Sequence, residues 1–162
     1  MKQLLNLTLA LALVLGLAAC GGQANNAPPL YSSGDVAKID KSGAFDADLY
    51  DLEELDADTA FMLYRLGDQG LTREDLKECT ALHSAGASCE EAAVLVFTSA
   101  DKAKTAVDAL NGYIAGQIAS NTDYRPAEIP KLENALISQR GETLLLVVAD
   151  NLDAAKEAVG EK

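Results

Sequence analysis

The stretch AAVLVFT, Ala92 to Thr98, decides the fold. It is short, apolar and rich in branched side chains, which predicts a buried strand rather than a helix. The residues on either side give it neighbours. Ser99 is a helix-capping residue type and Asp101 falls in the first turn that would follow, where the helix dipole favours a negative charge. Ala103, Val107, Leu110, Ile114 and Ile118 then recur at helical spacing, predicting one long helix over Ser99 to Ile118. Upstream, Thr80 to Ala85 reads as a partner strand, with Gly86 in the turn.

The same order returns later in the chain. Leu132 to Gln139 and Thr143 to Ala149 predict a hairpin turning at Arg140-Gly141. LLLVVA, Leu144 to Ala149, is the most apolar segment after the leader and is expected at the centre of the sheet. Asp150 or Asn151 caps a last helix, with Leu152, Ala155 and Val159 facing inward. Between the two units, Pro126 and Pro130 predict an extended strap. Upstream of both, Thr59 to Leu66 predicts a helix ended by Gly67, and Thr72-Arg73-Glu74-Asp75 a second, short one running through Glu78. The fold class is therefore α+β. A ββαββα core, one mainly antiparallel sheet packed by helices, is preceded by N-terminal helices.

The N-terminus carries an address. Its first twenty residues are MKQLLNLTLALALVLGLAAC, with Lys2 the only charged side chain before Cys20. A positive start, an apolar middle and a small-residue exit make a secretory signal peptide. The run falls short of the about 20 apolar residues a membrane span needs. Leu17-Ala18-Ala19-Cys20 resembles the bacterial lipobox, which implies a diacylglyceryl group on the Cys20 sulfur and cleavage before it. Two acyl chains suffice for stable anchoring. The expected organisation is a signal peptide over 1–19, the lipidated cysteine and a flexible tether over 20–36, and one α+β domain over 37–162. The expected location is the outer face of the cytoplasmic membrane.

The formal net charge is −12. Nucleic acid is an improbable partner for so acidic a chain, since phosphate binding needs clustered Lys and Arg. The densest acidic stretch holds Asp46, Asp48, Asp51, Glu53, Glu54, Asp56 and Asp58. It lacks the glycine of a calcium loop, so no metal site is assigned and the stretch reads as a solvated face leading into a helix. Beyond Cys20, an even pair of cysteines remains, Cys79 and Cys89. In an exported chain that permits a disulfide, with two buried thiols as the alternative.

Catalytic motifs are thin. His83 is the sole histidine. Ser84 and Ser88 are close to it in sequence, but a Ser-His-Asp site needs an arrangement that adjacency does not supply. No GxxxxGK, GxGxxG or CxxC is present.

SAGASCEEAAVLVFTSADKAKTAVDAL, followed by YRPAEIPKLENALISQRGETLLLVVADNLDAAKEAV, resembles the domain-of-unknown-function family 4358, small lipoproteins of Gram-positive bacteria. PKLENA, Pro130 to Ala135, is the most specific part of the resemblance, which runs from about Leu55 to Val159. The departures are Cys79, Cys89 and the Gly67–Gly70 link, GDQG. The resemblance implies an envelope lipoprotein with a compact α+β domain and supplies no catalytic residues.

The expected function is that of a membrane-anchored, non-enzymatic binding or accessory domain at the cell surface, with an envelope protein or a small solute as partner. The expected binding face is Tyr113, Tyr124, Arg125 and Lys131, aromatic and basic residues in an acidic chain. No cofactor is expected beyond the lipid on Cys20. The alternative is an envelope hydrolase or a thiol-redox protein, which would use His83, Cys79 or Cys89.

Overall fold

The structure is a computed structural model that describes residues 27–162. The expected signal peptide, Cys20 and the first part of the expected tether lie outside those residues. Five strands form one antiparallel sheet: β1 (Leu52–Leu55), β2 (Leu76–Ser84), β3 (Glu91–Phe97), β4 (Leu136–Arg140) and β5 (Thr143–Val148). Their order across the sheet is β1-β2-β3-β5-β4. Among the described residues five α-helices cover it: α1 (Ser33–Asp40), α2 (Ala57–Leu63), α3 (Ala100–Asn121), α4 (Ile129–Glu133) and α5 (Leu152–Val159). The α+β class and the repeated ββα core stand.

AAVLVF takes the central position. LLLVV is its interior neighbour rather than the centre, pairing Leu145 with Val94 and Leu146 with Ala93. Both strands are apolar throughout because helices bury both of their faces. On one face Ala93, Leu95, Phe97, Leu144 and Leu146 pack with Ala60 and Tyr64 of the α2 region and Ala103, Ala106 and Leu110 of α3. On the other, Ala92, Val94, Leu145 and Val147 pack with Val36 and Ile39 of α1, Phe45 and Ala155 of α5. The result is three layers.

The long helix starts as its sequence predicts, with the Ser99 hydroxyl accepting from the Lys102 N–H at 3.3 Å. Asn151 caps α5 by accepting from the Ala154 N–H at 3.1 Å. The turn at Arg140-Gly141 also holds, with Gly141 at φ 56°, a left-handed conformation suited to glycine.

Four local expectations change. Thr72 to Asp75 does form a reciprocal cap, the Thr72 N–H donating to Asp75 at 2.8 Å, but it closes only a 3₁₀ turn over Arg73–Asp75. β2 then begins at Leu76, where ladder bonds to β3 replace a second helical turn. Pro126 and Pro130 do not build an extended strap. They open a 3₁₀ turn (Pro126–Glu128) and α4, sitting in first turns where a missing N–H costs little. α4 in turn delays β4 to Leu136. Inside the acidic stretch, Leu52–Leu55 is an edge strand, Leu52 opposite Ser84 and Leu55 opposite Ala81.

The last change concerns residues 31–36, expected within the tether. Tyr31 and Val36 are buried and α1 begins at Ser33. The Tyr31 N–H donates to Thr143 Oγ1 at 3.0 Å, and its ring lies 4.2 Å from the Arg140 guanidinium carbon. Its hydroxyl bonds Ser138 and Glu161. The chain therefore joins the domain beside the β4–β5 turn.

Candidate functional site

Glu90 and Glu91 stand at the head of β3 and are both buried. Glu90 accepts backbone N–H bonds from Asp46 at 3.1 Å and Asp150 at 3.0 Å, and its Oε1 lies 3.2 Å from Lys131 Nζ. The Glu128 carboxylate lies 3.3 Å from the same ammonium and accepts the Cys89 N–H at 2.8 Å. Burial works against the charge on Lys131, but Glu90 and Glu128 outweigh it and hold the pKa above the usual lysine value. These three side chains tie α4 to the approach to β3.

Glu91 sits on the α3 side of the sheet. It accepts the Tyr64 hydroxyl at 3.2 Å, and the Tyr113 hydroxyl is also within reach of it. The Tyr64 and Tyr113 rings meet edge to face at 5.1 Å. Burial lifts the Glu91 pKa to about 8, against the pull of the two hydroxyls, so the carboxyl is mainly protonated at pH 7. Nothing in the sequence forecast this buried acid except the EE pair standing directly before an apolar run.

Next to Glu91 lies a cavity of about 270 Å³ between the β2–β3 connection and α3. His83, Ser88, Cys89, Tyr113, Gln117 and Arg125 contribute to its wall. The Tyr113 hydroxyl is 3.4 Å from His83 Nε2. Burial pushes the imidazole pKa down, which favours the neutral ring. Arg125 is fixed by three bonds: Nε to Asn121 Oδ1 at 2.7 Å, and one terminal nitrogen to the Gly86 and Ser88 carbonyls at 2.9 and 3.1 Å. A larger, more open groove of about 630 Å³ runs between α4 and α5. The smaller cavity is the better candidate because it gathers the histidine, a thiol, a phenol and a positioned guanidinium.

The four residues of the expected binding face do not share one surface. Tyr113 is 6% exposed and belongs to the core. Lys131 is held between Glu90 and Glu128. Tyr124 is 81% exposed, with the Arg125 guanidinium carbon 5.9 Å from its ring. Tyr113 and Arg125 do meet, in the wall of the cavity.

The family profile described as Domain of unknown function (DUF4358) matches residues 45–149, most of the chain. The protein belongs to the DUF4358 family. The matched span of this DUF4358 domain contains the whole sheet and the entire cavity wall, while α1 and α5 fall outside it. No curated protein and no solved structure is significantly similar to the chain.

The two cysteines of the DUF4358 domain are free thiols. Cys79 is paired with Leu95, whereas Glu91 is paired with His83. Those rungs are four positions apart, about 13 Å along a strand, and Cys89 lies two residues further on. A disulfide tolerates Cα atoms no more than about 7 Å apart, so of the two readings the sequence left open this structure takes the second, two separate thiols. Burial raises both thiol pKa values, that of Cys79 to about 11. Ser84 donates its hydroxyl to Asp51 Oδ1 at 2.7 Å, so its proton is directed away from His83. Among the described residues no cluster of three or more His, Cys, Asp or Glu could hold a metal ion. No described helix is long and apolar enough to cross a membrane.

Proposed function

We propose that this protein is a lipid-anchored extracytoplasmic lipoprotein whose domain is a non-enzymatic binding module, with the cavity between the β2–β3 connection and α3 as its ligand site. The observation that carries the binding reading is Arg125, a guanidinium fixed by three protein bonds at a polar cavity wall. Such a group is already positioned before a ligand arrives, so binding costs less ordering entropy.

The anchor rests on Leu17-Ala18-Ala19-Cys20 behind an apolar leader. The route of the chain suits that anchor. Tyr31 docks at Thr143 and Arg140, and the Thr143 rung pairs with Val96, whereas the cavity sits near Glu91. Five strand positions, about 17 Å, separate those ends of the sheet. A lipid on Cys20 would then leave the cavity at the end away from the attachment point.

One observation favours the thiol-redox alternative: Cys89 and His83 line the same cavity. Against it, burial raises the Cys89 pKa and makes the thiolate scarce. A hydrolase reading lacks a serine bonded to the histidine.

The address is tested in cells. The membrane fraction should yield a chain beginning at Cys20 with added diacylglyceryl mass, and Cys20→Ala should move it out of that fraction. An unmodified N-terminus on a protein that stays soluble would refute the anchor. The binding reading is tested by ligand titration of the full chain, as set out next.

A further inference from the structure

Three of the four arginines are matched with carboxylates. Arg65 pairs with Asp68, Arg73 with Asp58, and Arg140 with Glu161, each at 2.5 Å. Arg125 has no carboxylate within salt-bridge distance among the described residues. Its partners are a side-chain amide and two backbone carbonyls, all neutral. In a chain with 25 acidic residues that exception needs a reason.

The cavity wall supplies a second, independent observation. Of the ten residues lining it, none is Asp or Glu, and Arg125 is the sole cation. The donors are also unspent. Nε and one terminal nitrogen of Arg125 are used, and the other terminal nitrogen has no protein partner. Gln117 uses its oxygen to accept from Asn121, and its side chain also lies within bonding reach of the Tyr113 hydroxyl. The free guanidinium nitrogen brings up to two N–H donors to a residue that lines both this cavity and the open surface beside Tyr124, and Gln117 adds a polar amide to the same cavity wall. Of the buried acids beside the cavity, Glu91 is mainly protonated at neutral pH and contributes little negative charge. Asp51 and Glu128 lie close by and engage Ser84 and Lys131 respectively.

We propose that the cavity binds a small organic monocarboxylate, with its charge on the free edge of Arg125 and its body between Gln117, Tyr113 and Leu63. This deepens the binding reading given above and rests on it. The size fits: about 270 Å³ is room for about nine water molecules at ~30 Å³ each. Charge selects a monoanion. One guanidinium offers a single positive charge, and the field of a chain at −12 opposes a dianion such as phosphate about twice as strongly.

The test is titration of the full chain with acetate, benzoate and indole-3-acetate, against inorganic phosphate and the matched amides acetamide, benzamide and indole-3-acetamide. Nitrogen NMR of the Arg125 and Gln117 side chains and calorimetry read the binding. At least one carboxylate should saturate with shifts at both side chains, and its amide should bind about tenfold more weakly or worse. Because Arg125 also holds the β2–β3 connection, Arg125→Gln could disturb the loop, so Gln117→Glu serves as the second variant. It places a like charge in the cavity, leaves the Arg125 bonds in place, and should weaken carboxylate binding at least about tenfold without lowering the melting temperature. Equal binding of phosphate or of the amides would overturn the carboxylate assignment and leave the binding module standing. Absence of any saturable shift at Arg125 across the whole set would overturn both.

Discussion

Lys131 Nζ lies 3.2 Å from Glu90 Oε1, joining the PKLENA segment to the head of the central strand across 41 residues of sequence. Glu128 completes the cluster from the other side. A buried ion pair is a weak source of net stability, but removing one partner strands the other. Lys131→Met leaves two buried carboxylates facing each other without a cation. Urea unfolding should show a loss of about 3–5 kcal/mol. A loss below about 1 kcal/mol would mean that the backbone N–H groups of Asp46, Asp150 and Cys89 satisfy the carboxylates alone.

Glu91 gives the stability a pH dependence of definite sign. Its pKa rises from an ordinary 4.5 to about 8 on folding. Between those values the folded chain holds a proton that the unfolded chain has released. Stability is therefore full below the unfolded pKa and falls as pH rises toward 8, by up to ~1.4 kcal/mol per pH unit. Glu91→Gln removes the titration while keeping an acceptor for Tyr64. The stability of the variant relative to the parent should climb between pH 5 and 8 and level off above. A difference that is flat with pH would show that Glu91 is ionised in the fold.

Tyr31 staples the incoming chain to the β4–β5 hairpin and to the C-terminus. Burial, helped by the bond to Glu161, raises its pKa to about 12, so the hydroxyl remains protonated through the physiological range. Tyr31→Ala should cost about 3 kcal/mol in denaturant unfolding, from lost burial, the ring contact with Arg140 and the hydroxyl bonds. A loss below about 1 kcal/mol would contradict the described docking.

The cysteines should be slow to react. With its pKa near 11 instead of 9, Cys79 holds about 100-fold less thiolate near neutral pH than an ordinary cysteine. A disulfide reagent should therefore modify Cys79 at least about 100-fold more slowly in the folded protein than after unfolding. Both Cys79 and Cys89 should titrate as thiols once the chain is denatured. Rapid labelling of native Cys89 would revive thiol chemistry in the cavity.

The pattern of amino acids determined the parts of this protein that depend on neighbours in sequence. AAVLVF and LLLVV are apolar on both sides because strands buried on both faces have no polar side to show. Ser99 and Asn151 start their helices with their own side chains, and Arg140-Gly141 turns a hairpin because glycine accepts the left-handed backbone. The remainder was decided by contacts between distant residues. LEEL is a strand because β2 offers it a ladder, and Leu76 leaves a helical path because Phe97 stands opposite. Tyr31 belongs to the domain because Thr143 and Arg140, over a hundred residues later, receive it. Sequence offered Arg125 only as one exposed basic residue among several. Its place beside Tyr113 and Gln117, fixed by carbonyls 37 and 39 residues away and unmatched by any carboxylate, is a property of folded geometry, since electrostatic pairing is settled by distance in space.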